Sequence, residues 1–509
     1  MTPPPSGVRW IASLGAVGTR ALGTLSAGDS SAAISSWVFL RGLGVVYLVA
    51  FASLWTQILG LIGHDGILPA REFLDAVAHQ LGPERYWLAP TVCWWQAGDG
   101  FLQGVCGAGT VAAILLILDV APAACLAVLW ASYLSLATVG REFLWFQWDS
   151  LLLEAGFLAI WLAPLRVRPR PAQDPPPSRL VVWLLRWLLF RLVFSSGAVK
   201  LASGDPTWRQ LTALTYHYET QPLPTWIGWY AHQLPARVHA WSCGAMLVIE
   251  LIIPWLIFAP RRGRRLACAG MVFLQALIAA TGNYTFFNLL TIALCVLLLD
   301  DGAWPCWWKE VWQRAQARTG RAASHCWPTW MTVPVGGFLL ALTAVPMAGL
   351  AGARTPLTSL YGELSAFRFV NSYGLFAVMT TVRHEIVVEG SDDGTEWRAY
   401  EFTDKPGDLR RRPRFIAPHQ PRLDWQMWFA ALGSVRQNPW FLRLCERLLE
   451  GSPAVLALLA RNPFPASPPR YLRCLLYDYR FTEAAARRAD GAWWRRELRG
   501  RYCPTLSLH

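Results

Sequence analysis

The chain has 509 residues, of which 54% are hydrophobic and only 16% are charged, whereas about 25% of the residues in an ordinary soluble domain are charged. This composition argues against a soluble globular class, since so much apolar surface would leave large exposed patches in water. The 29 tryptophans and the net charge of +13 are typical of a membrane protein, with tryptophan at the lipid interface and basic residues in loops. The basic residues are scattered and form no nucleic-acid-binding module, so no nucleic-acid partner is predicted.

Apolar runs begin after residues 1–36, which lack a signal-peptide pattern and are predicted to form a mobile tail. About 20 residues are needed to cross a bilayer, and the fourth and eighth runs are shorter than that. Residues 37–351 are therefore predicted to be a multi-pass α-helical membrane domain of about nine spans, at residues 37–62, 100–118, 121–139, 150–165, 180–200, 241–259, 266–282, 284–299 and 331–350.

Basic residues cluster in the connections that follow even-numbered spans. Because such connections stay in the cytoplasm, the remainder of the chain after an odd number of spans is predicted to be exoplasmic. The tryptophan-rich loops 64–99 and 203–240 fall on the same side, and we expect them to pack under the C-terminal domain. The basic residues that set this orientation are Arg166, Arg168, Arg170, Arg179, Arg261, Arg262, Arg264, Arg265, Lys309, Arg314, Arg318 and Arg321.

The pattern changes after residue 351, and residues 352–509 are predicted to form a soluble α+β domain. Residues 376–388 are rich in valine, threonine and phenylalanine, which favours a strand. The turn signal SDDG at residues 391–394 predicts a β-hairpin between that segment and residues 395–402. Helical periodicity follows at residues 422–432 and 440–449, and Asn438-Pro439 is a suitable start for the second helix.

Charged residues within predicted spans are costly and therefore informative. Arg191 and Glu250 lie at similar depths, counted from the ends of their apolar runs, and are predicted to pair across the bundle. Glu154 is shallower and could reach Lys200. These charges either fix the packing of the helices or form part of a pathway for a substrate or protons.

A polar and aromatic cluster follows the fifth span, where Tyr216, His217, Tyr218 and Glu219 are consecutive. One interpretation is a proton-transfer site in which Lys200 acts as a base. The other is an aromatic belt at the membrane interface with an ordinary folded loop.

Other motifs for chemistry are not found in the sequence. It contains no nucleotide-binding loop, no nucleophile elbow and no HExxH spacing, so neither a cofactor nor a metal is predicted. Cys93, Cys445, Cys474 and Cys503 lie outside the predicted spans and could pair, but their spacing matches no redox motif.

Residues 411–432 read RRPRFIAPHQPRLDWQMWFAAL and resemble the C-terminal signature of the lipase maturation factor family. Six further blocks resemble the family in the same order, at residues 146–160, 217–224, 282–294, 370–380, 400–408 and 438–440. The membrane half is also similar to the wider transmembrane group that includes vitamin K-dependent carboxylases. The resemblance implies a non-enzymatic membrane protein that helps secreted lipases and similar clients to fold, assemble and leave the cell.

The resemblance also implies that the C-terminal domain engages the clients. Arg422, Asp424, Trp425 and Trp428 in the signature either form the core of that domain with a salt bridge or contact a client. The implied location is the endoplasmic reticulum membrane in a eukaryote and the plasma membrane in a bacterium. Two alternatives remain at this stage, a carboxylase-like membrane enzyme that uses Lys200 and a transporter.

Overall fold

The computed structural model describes residues 32–168, 176–317 and 327–508, so most of the predicted tail lies outside the described residues. Within these described ranges the membrane half is helical, and seven of its helical segments are long and apolar enough to cross a membrane. Its α-helices are α1 (Ala33–Trp55), α2 (Ile58–Ile62), α3 (Ala70–Leu81), α4 (Arg85–Leu88), α5 (Asp99–Ile117), α6 (Pro122–Gly140), α7 (Gln147–Leu162), α8 (Arg179–Ala202), α9 (Pro206–Arg209), α10 (Leu214–Thr220), α11 (Trp226–His232), α12 (Ala236–Leu251), α13 (Arg261–Thr281), α14 (Phe287–Val296), α15 (Cys306–Ala317), α16 (Thr329–Leu342) and α17 (Ala344–Leu350).

The predicted count of nine spans is not confirmed, because the fourth and eighth apolar runs form shorter helices. Helix α7 has 16 residues and α14 has 10, which correspond to lengths of about 24 and about 15 Å. Helix α7 ends at Leu162 because Ala163 is extended before Pro164. Helix α14 begins late because Thr285 has a left-handed backbone with φ of 57°.

The C-terminal region contains both helices and strands. Its elements are α18 (Thr358–Leu364), β1 (Arg383–Ser391), β2 (Arg398–Ala399), β3 (Glu401–Phe402), α19 (Arg422–Ala431), α20 (Pro439–Glu450), α21 (Pro453–Leu456), β4 (Leu459–Arg461), β5 (Tyr471–Phe481), α22 (Ala484–Asp490) and β6 (Trp494–Leu506). A four-stranded antiparallel sheet has the order β2-β1-β5-β6, and β3 pairs with β4. The predicted hairpin and both predicted helices are confirmed, although β1 begins only at Arg383. Sequence patterns missed the two longest strands, β5 and β6.

One continuous hydrophobic core connects the helical bundle with the C-terminal region. Leu43 of α1, Trp148 of α7, Ile386 of β1 and Trp425 of α19 all belong to it. The regions on the two sides of the boundary predicted at residue 351 therefore share one hydrophobic core. Cys445 and Cys474 meet in this core with their sulfur atoms 3.8 Å apart as free thiols.

The predicted pairing of the charges within the bundle is wrong, because the partners are exchanged. Arg191 pairs with Glu154, and Lys200 pairs with Glu250 at 2.8 Å. Helix α12 begins at Ala236, before the predicted start of its span at residue 241. Counting depth from residue 241 therefore placed Glu250 at the depth of Arg191, although its partner in the structure is Lys200. All four charged side chains are buried.

The Glu154–Arg191 pair also binds the chain that leads into the C-terminal region. The backbone N–H of Asn371 and the hydroxyl of Tyr373 donate to Glu154 Oε2 at 2.8 and 2.7 Å. Arg191 Nη1 donates to the carbonyl of Asn371 at 3.1 Å. Both charges thus have several hydrogen-bonded partners, as buried ions require.

Combined substitutions can test the corrected pairing. Glu250→Gln leaves the Lys200 ammonium unpaired and should lower the free energy of unfolding by about 3–5 kcal/mol. Adding Lys200→Met removes that unpaired charge and should recover most of the stability, measured by thermal unfolding in detergent.

The matched control adds Arg191→Met to Glu250→Gln, and it should recover nothing. Glu310→Gln, at the exposed pair with Arg314, should change stability by less than about 1 kcal/mol. Recovery through Arg191→Met, but not through Lys200→Met, would contradict the corrected pairing.

Candidate functional site

Arg422, at the start of the signature helix α19, joins that helix to the bundle. Its two terminal nitrogens donate to the two carboxylate oxygens of Asp149 at 3.1 and 3.0 Å, and also to the carbonyl of Phe143 and the hydroxyl of Tyr133 at 2.6 and 3.1 Å. The hydroxyl of Tyr133 in turn donates to Asp149. The guanidinium is 1% exposed, so the charge is balanced entirely within the protein.

The other three signature residues are buried as well. Asp424 Oδ1 accepts from the backbone N–H groups of Asp404 and Lys405 at 2.7 and 2.8 Å. Trp425 packs edge-on against Trp148, and the indole N–H of Trp428 donates to a carbonyl of α10. These positions agree with the core-and-salt-bridge interpretation, and the salt bridge connects the signature to Asp149 in the bundle.

The loops between spans lie against the C-terminal region, as we expected. Arg383 of β1 donates to the carbonyls of residues 219, 221 and 222, and Glu219 Oε2 accepts from the backbone N–H of Phe481 at 3.0 Å. From the other loop, Glu72 pairs with Arg443 of α20 at 3.0 Å. Burial raises the pKa of Glu219, although the bond from Phe481 opposes that rise.

The four residues of the predicted loop cluster do not form one site. Glu219 points toward β5, and Tyr216 packs against Trp208 and Cys243. His217 and Tyr218 line a cavity of about 340 Å³ together with Lys200 and other side chains. The cluster therefore divides between the C-terminal interface and this cavity.

Lys200 has the partners of a charged ammonium group. Its Nζ donates to both carboxylate oxygens of Glu250 at 3.0 and 2.8 Å and to the carbonyl of Ser196 at 3.1 Å. An ammonium has three hydrogens, and all three are used. This geometry gives no support to Lys200 as a free base.

A groove lies between the signature helix and the bundle, and we call it the junction groove. It has a volume of about 730 Å³. Trp145 is 70% exposed and Phe429 42% exposed at this groove, and Arg368 stacks over the Trp145 ring at 4.7 Å. Its lining includes Phe73, Leu88, Pro90, Thr138, Arg141, Glu142, Trp145, Arg368, Gln426, Phe429, Asn438 and Trp440.

The junction groove could not be identified from the sequence, because its residues come from four distant segments. Only the helical periodicity of residues 422–432 could have indicated it, since Phe429 is the aromatic residue of that helix that remains half-exposed. Within the described ranges, no three histidine, cysteine or acidic side chains are grouped to hold a metal ion.

Comparisons with known proteins agree with this architecture. The lipase maturation factor transmembrane domain matches residues 34–306, and the lipase maturation factor C-terminal domain matches residues 369–504. The chain belongs to the lipase maturation factor family. The second family match begins just before Asn371, so the segment bound by Glu154 is part of this family's C-terminal domain.

Relatives in the lipase maturation factor family match most of the chain. Lipase maturation factor 2 from Homo sapiens is 39% identical and that from Gallus gallus is 40% identical, over 92% of this chain and 82% and 81% of theirs. Lipase maturation factor 1 from Bos taurus is 36% identical over 92% of this chain and 88% of its own. No solved structure matches the chain.

Replacing Arg422 should weaken the contact between α19 and the bundle. Arg422→Met leaves Asp149 buried without its partner, which should lower the free energy of unfolding by about 3–5 kcal/mol. Thermal unfolding in detergent measures the loss, and limited proteolysis of residues 404–419 reports on the loosening.

Arg436→Met, at an exposed position, is the matched control and should leave both readouts unchanged. Asp149→Leu combined with Arg422→Met should recover part of the stability, since no charge is then left unpaired. Equal stability of the Arg422 variant and the wild type would show that the contact does not hold the junction.

Asp424 should make stability depend on pH. Burial raises the pKa of Asp424 from 3.8 to about 6, so its contribution to folding is full at low pH and is lost as pH rises through about 6. Between pH 5 and pH 7.5 the wild type should lose about 1.4 kcal/mol relative to Asp424→Asn, because about one pKa unit of the shift falls within this range and one unit corresponds to about 1.4 kcal/mol.

Unfolding of both proteins across this pH range measures the difference. Trp425→Phe, a neighbouring buried substitution without a titrating group, is the control and should differ from the wild type by a constant amount. A constant difference for Asp424→Asn would contradict the assignment.

Proposed function

We propose that this membrane protein is a maturation factor that holds secreted lipases while they fold and assemble. The observation that carries the proposal is the junction groove, which the family's signature helix and the bundle build together. The proposed partners are secreted client proteins, lipases among them. The proposed location is the endoplasmic reticulum membrane in a eukaryotic host and the plasma membrane in a bacterial one.

The residue types in the groove suit transient binding of an unfolded client. Tryptophan and arginine dominate binding energy at protein interfaces, and Trp145 and Arg368 are stacked together at the groove. Phe429 adds a half-exposed aromatic ring. Folding intermediates expose apolar surface, so they can exchange that surface for contact with the groove without nucleotide or cofactor.

A rigid groove supports this role better than a mobile domain. Arg422 fixes the first turn of α19, and the indole N–H of Trp428 fixes its last turns against α10. Phe429 is therefore held at the surface while its neighbours are buried. The predicted sidedness, with basic connections in the cytoplasm, would turn this groove toward the secretory space.

A negative charge introduced at position 429 in the junction groove should prevent maturation of the lipase. Phe429→Glu should reduce the activity of a co-expressed secreted lipase by at least about fivefold, because a hot-spot contact contributes more than about 1 kcal/mol. The assay compares secreted lipase activity with total lipase protein, in secretory cells that lack their own maturation factor.

Phe415→Glu is the matched control, because Phe415 is 46% exposed but does not line the groove. It should retain most of the secreted activity, and both variants should unfold at the wild-type temperature. Full secretion with Phe429→Glu, or equal losses with both variants, would contradict the assignment of the groove.

A further inference from the structure

The cavity beside Lys200 is not used in the proposed function, and helices of the bundle contribute much of its lining. Leu192 and Val193 of α8, Met246 of α12 and Leu274 and Ile278 of α13 are among its apolar residues, and Leu375 and Phe376 of the C-terminal region also line it. A volume of about 340 Å³ lies at the lower end of the range for ligand pockets. Since a cavity of about 150 Å³ holds benzene, this one has room for about a dozen carbon atoms.

The charged groups at the cavity are balanced. Lys200 and Glu250 form a pair at 2.8 Å in which neither side chain is more than 9% exposed. Burial lowers the pKa of His217 to about 4, so the imidazole is neutral at pH 7. Because no unpaired charge faces the cavity from these groups, a charged ligand would lose its hydration without compensation.

The hydrogen bonds of the cavity wall determine which ring nitrogen of His217 carries its proton. Gln221 Nε2 donates to the carbonyls of Tyr218 and Thr281, so its Oε1 is an acceptor. The hydroxyl of Tyr284 donates to that Oε1 at 3.1 Å, and its oxygen therefore accepts from His217 Nε2 at 3.2 Å. This assignment leaves His217 Nδ1 as an acceptor.

Tyr218 provides the complementary donor. It lines the same cavity as its neighbour His217, and burial raises the pKa of its hydroxyl, which therefore keeps its proton. A phenol that keeps its proton is a hydrogen-bond donor. A ligand hydroxyl, which both donates and accepts, would satisfy Tyr218 and His217 Nδ1 together.

The entrance to the cavity is on the lipid-facing side of the bundle. Leu234 and Leu277 line the cavity and are 47% and 48% exposed, and Ser242 is exposed as well. Helices α12 and α13 are predominantly unburied within the protein, so lipid surrounds this side. A ligand can therefore enter laterally from the bilayer.

We propose that this cavity binds a neutral single-chain amphiphile from the bilayer, of the monoacylglycerol class. Its hydroxyl headgroup lies between Tyr218 and His217, the first part of its acyl chain lies along Leu274 and Ile278, and the rest of the chain extends through the entrance into the bilayer. The site is separate from the junction groove, and it would survive failure of the proposed lipase function.

Photolabelling tests the site in the full chain in lipid nanodiscs. A monoacylglycerol with a diazirine in its chain should label peptides from α12 and α13 on irradiation, and excess unlabelled monoacylglycerol should compete. Palmitate, which carries a charged headgroup, should compete at least about tenfold more weakly, a difference of about 1.4 kcal/mol. Tyr218→Phe should weaken the binding severalfold.

Matched pairs of substitutions distinguish the cavity from the lipid-facing surface. Ser242→Trp and Leu277→Trp fill the entrance and should abolish most labelling. Ala245→Trp and Ala276→Trp lie on the same helices at exposed positions that do not line the cavity, and they should leave labelling unchanged. Unfolding temperatures identify any variant that fails to fold.

Three outcomes would overturn the proposal. Equal labelling of entrance variants and controls would mean that the probe adheres only to the outer surface. Equal competition by palmitate would exclude selection for a neutral headgroup. Absence of labelling in a folded wild-type protein would exclude the site itself.

Discussion

The guanidinium of Arg422 meets the carboxylate of Asp149 and the hydroxyl of Tyr133 in a space that water does not reach. Burying such charges costs several kcal/mol per ion, and the attraction between them repays this cost only when the geometry is good and further hydrogen bonds are made, as they are here to Phe143 and Tyr133. The contact joins residues separated by 273 positions in the chain. It therefore holds the C-terminal region to the bundle in one orientation.

Other contacts depend on that orientation. With α19 fixed, Asp424 can order the segment at residues 404–405, and Arg383 can reach the carbonyls of residues 219–222. The Glu154–Arg191 pair fixes the chain that enters the C-terminal region at Asn371. These contacts leave a groove with exposed aromatic side chains between two rigid walls, which is the property that the proposed function requires.

Local features of this fold could be predicted from the sequence. The SDDG turn and the Asn438-Pro439 start depend on neighbouring residues, and both predictions are confirmed. The long apolar runs gave seven helices of sufficient length for spans, and the two short runs gave α7 and α14. Strand β6 was missed because the charged run Arg495-Arg496-Glu497 interrupts its apolar alternation, and β5 was missed because the continuous apolar run at residues 474–477 obscures its own alternation.

Contacts between distant segments could not be predicted in the same way. Lys200 and Glu250 were both recognised as significant, but their pairing depends on where α12 begins relative to α8. The signature residues were identified by resemblance, yet nothing local shows that they are buried or that Asp149 is the partner of Arg422. The junction groove depends on four segments meeting, which only the folded chain shows.

We propose that the junction groove contacts a lipase before the lipase is secreted. Photo-crosslinking in living cells can detect this contact, with benzoylphenylalanine placed at position 429 in the groove or at position 415 outside it. We expect a crosslink to the intracellular, immature lipase from position 429, and none from position 415. Crosslinks of equal yield from both positions, or a crosslink from position 415 alone, would contradict it.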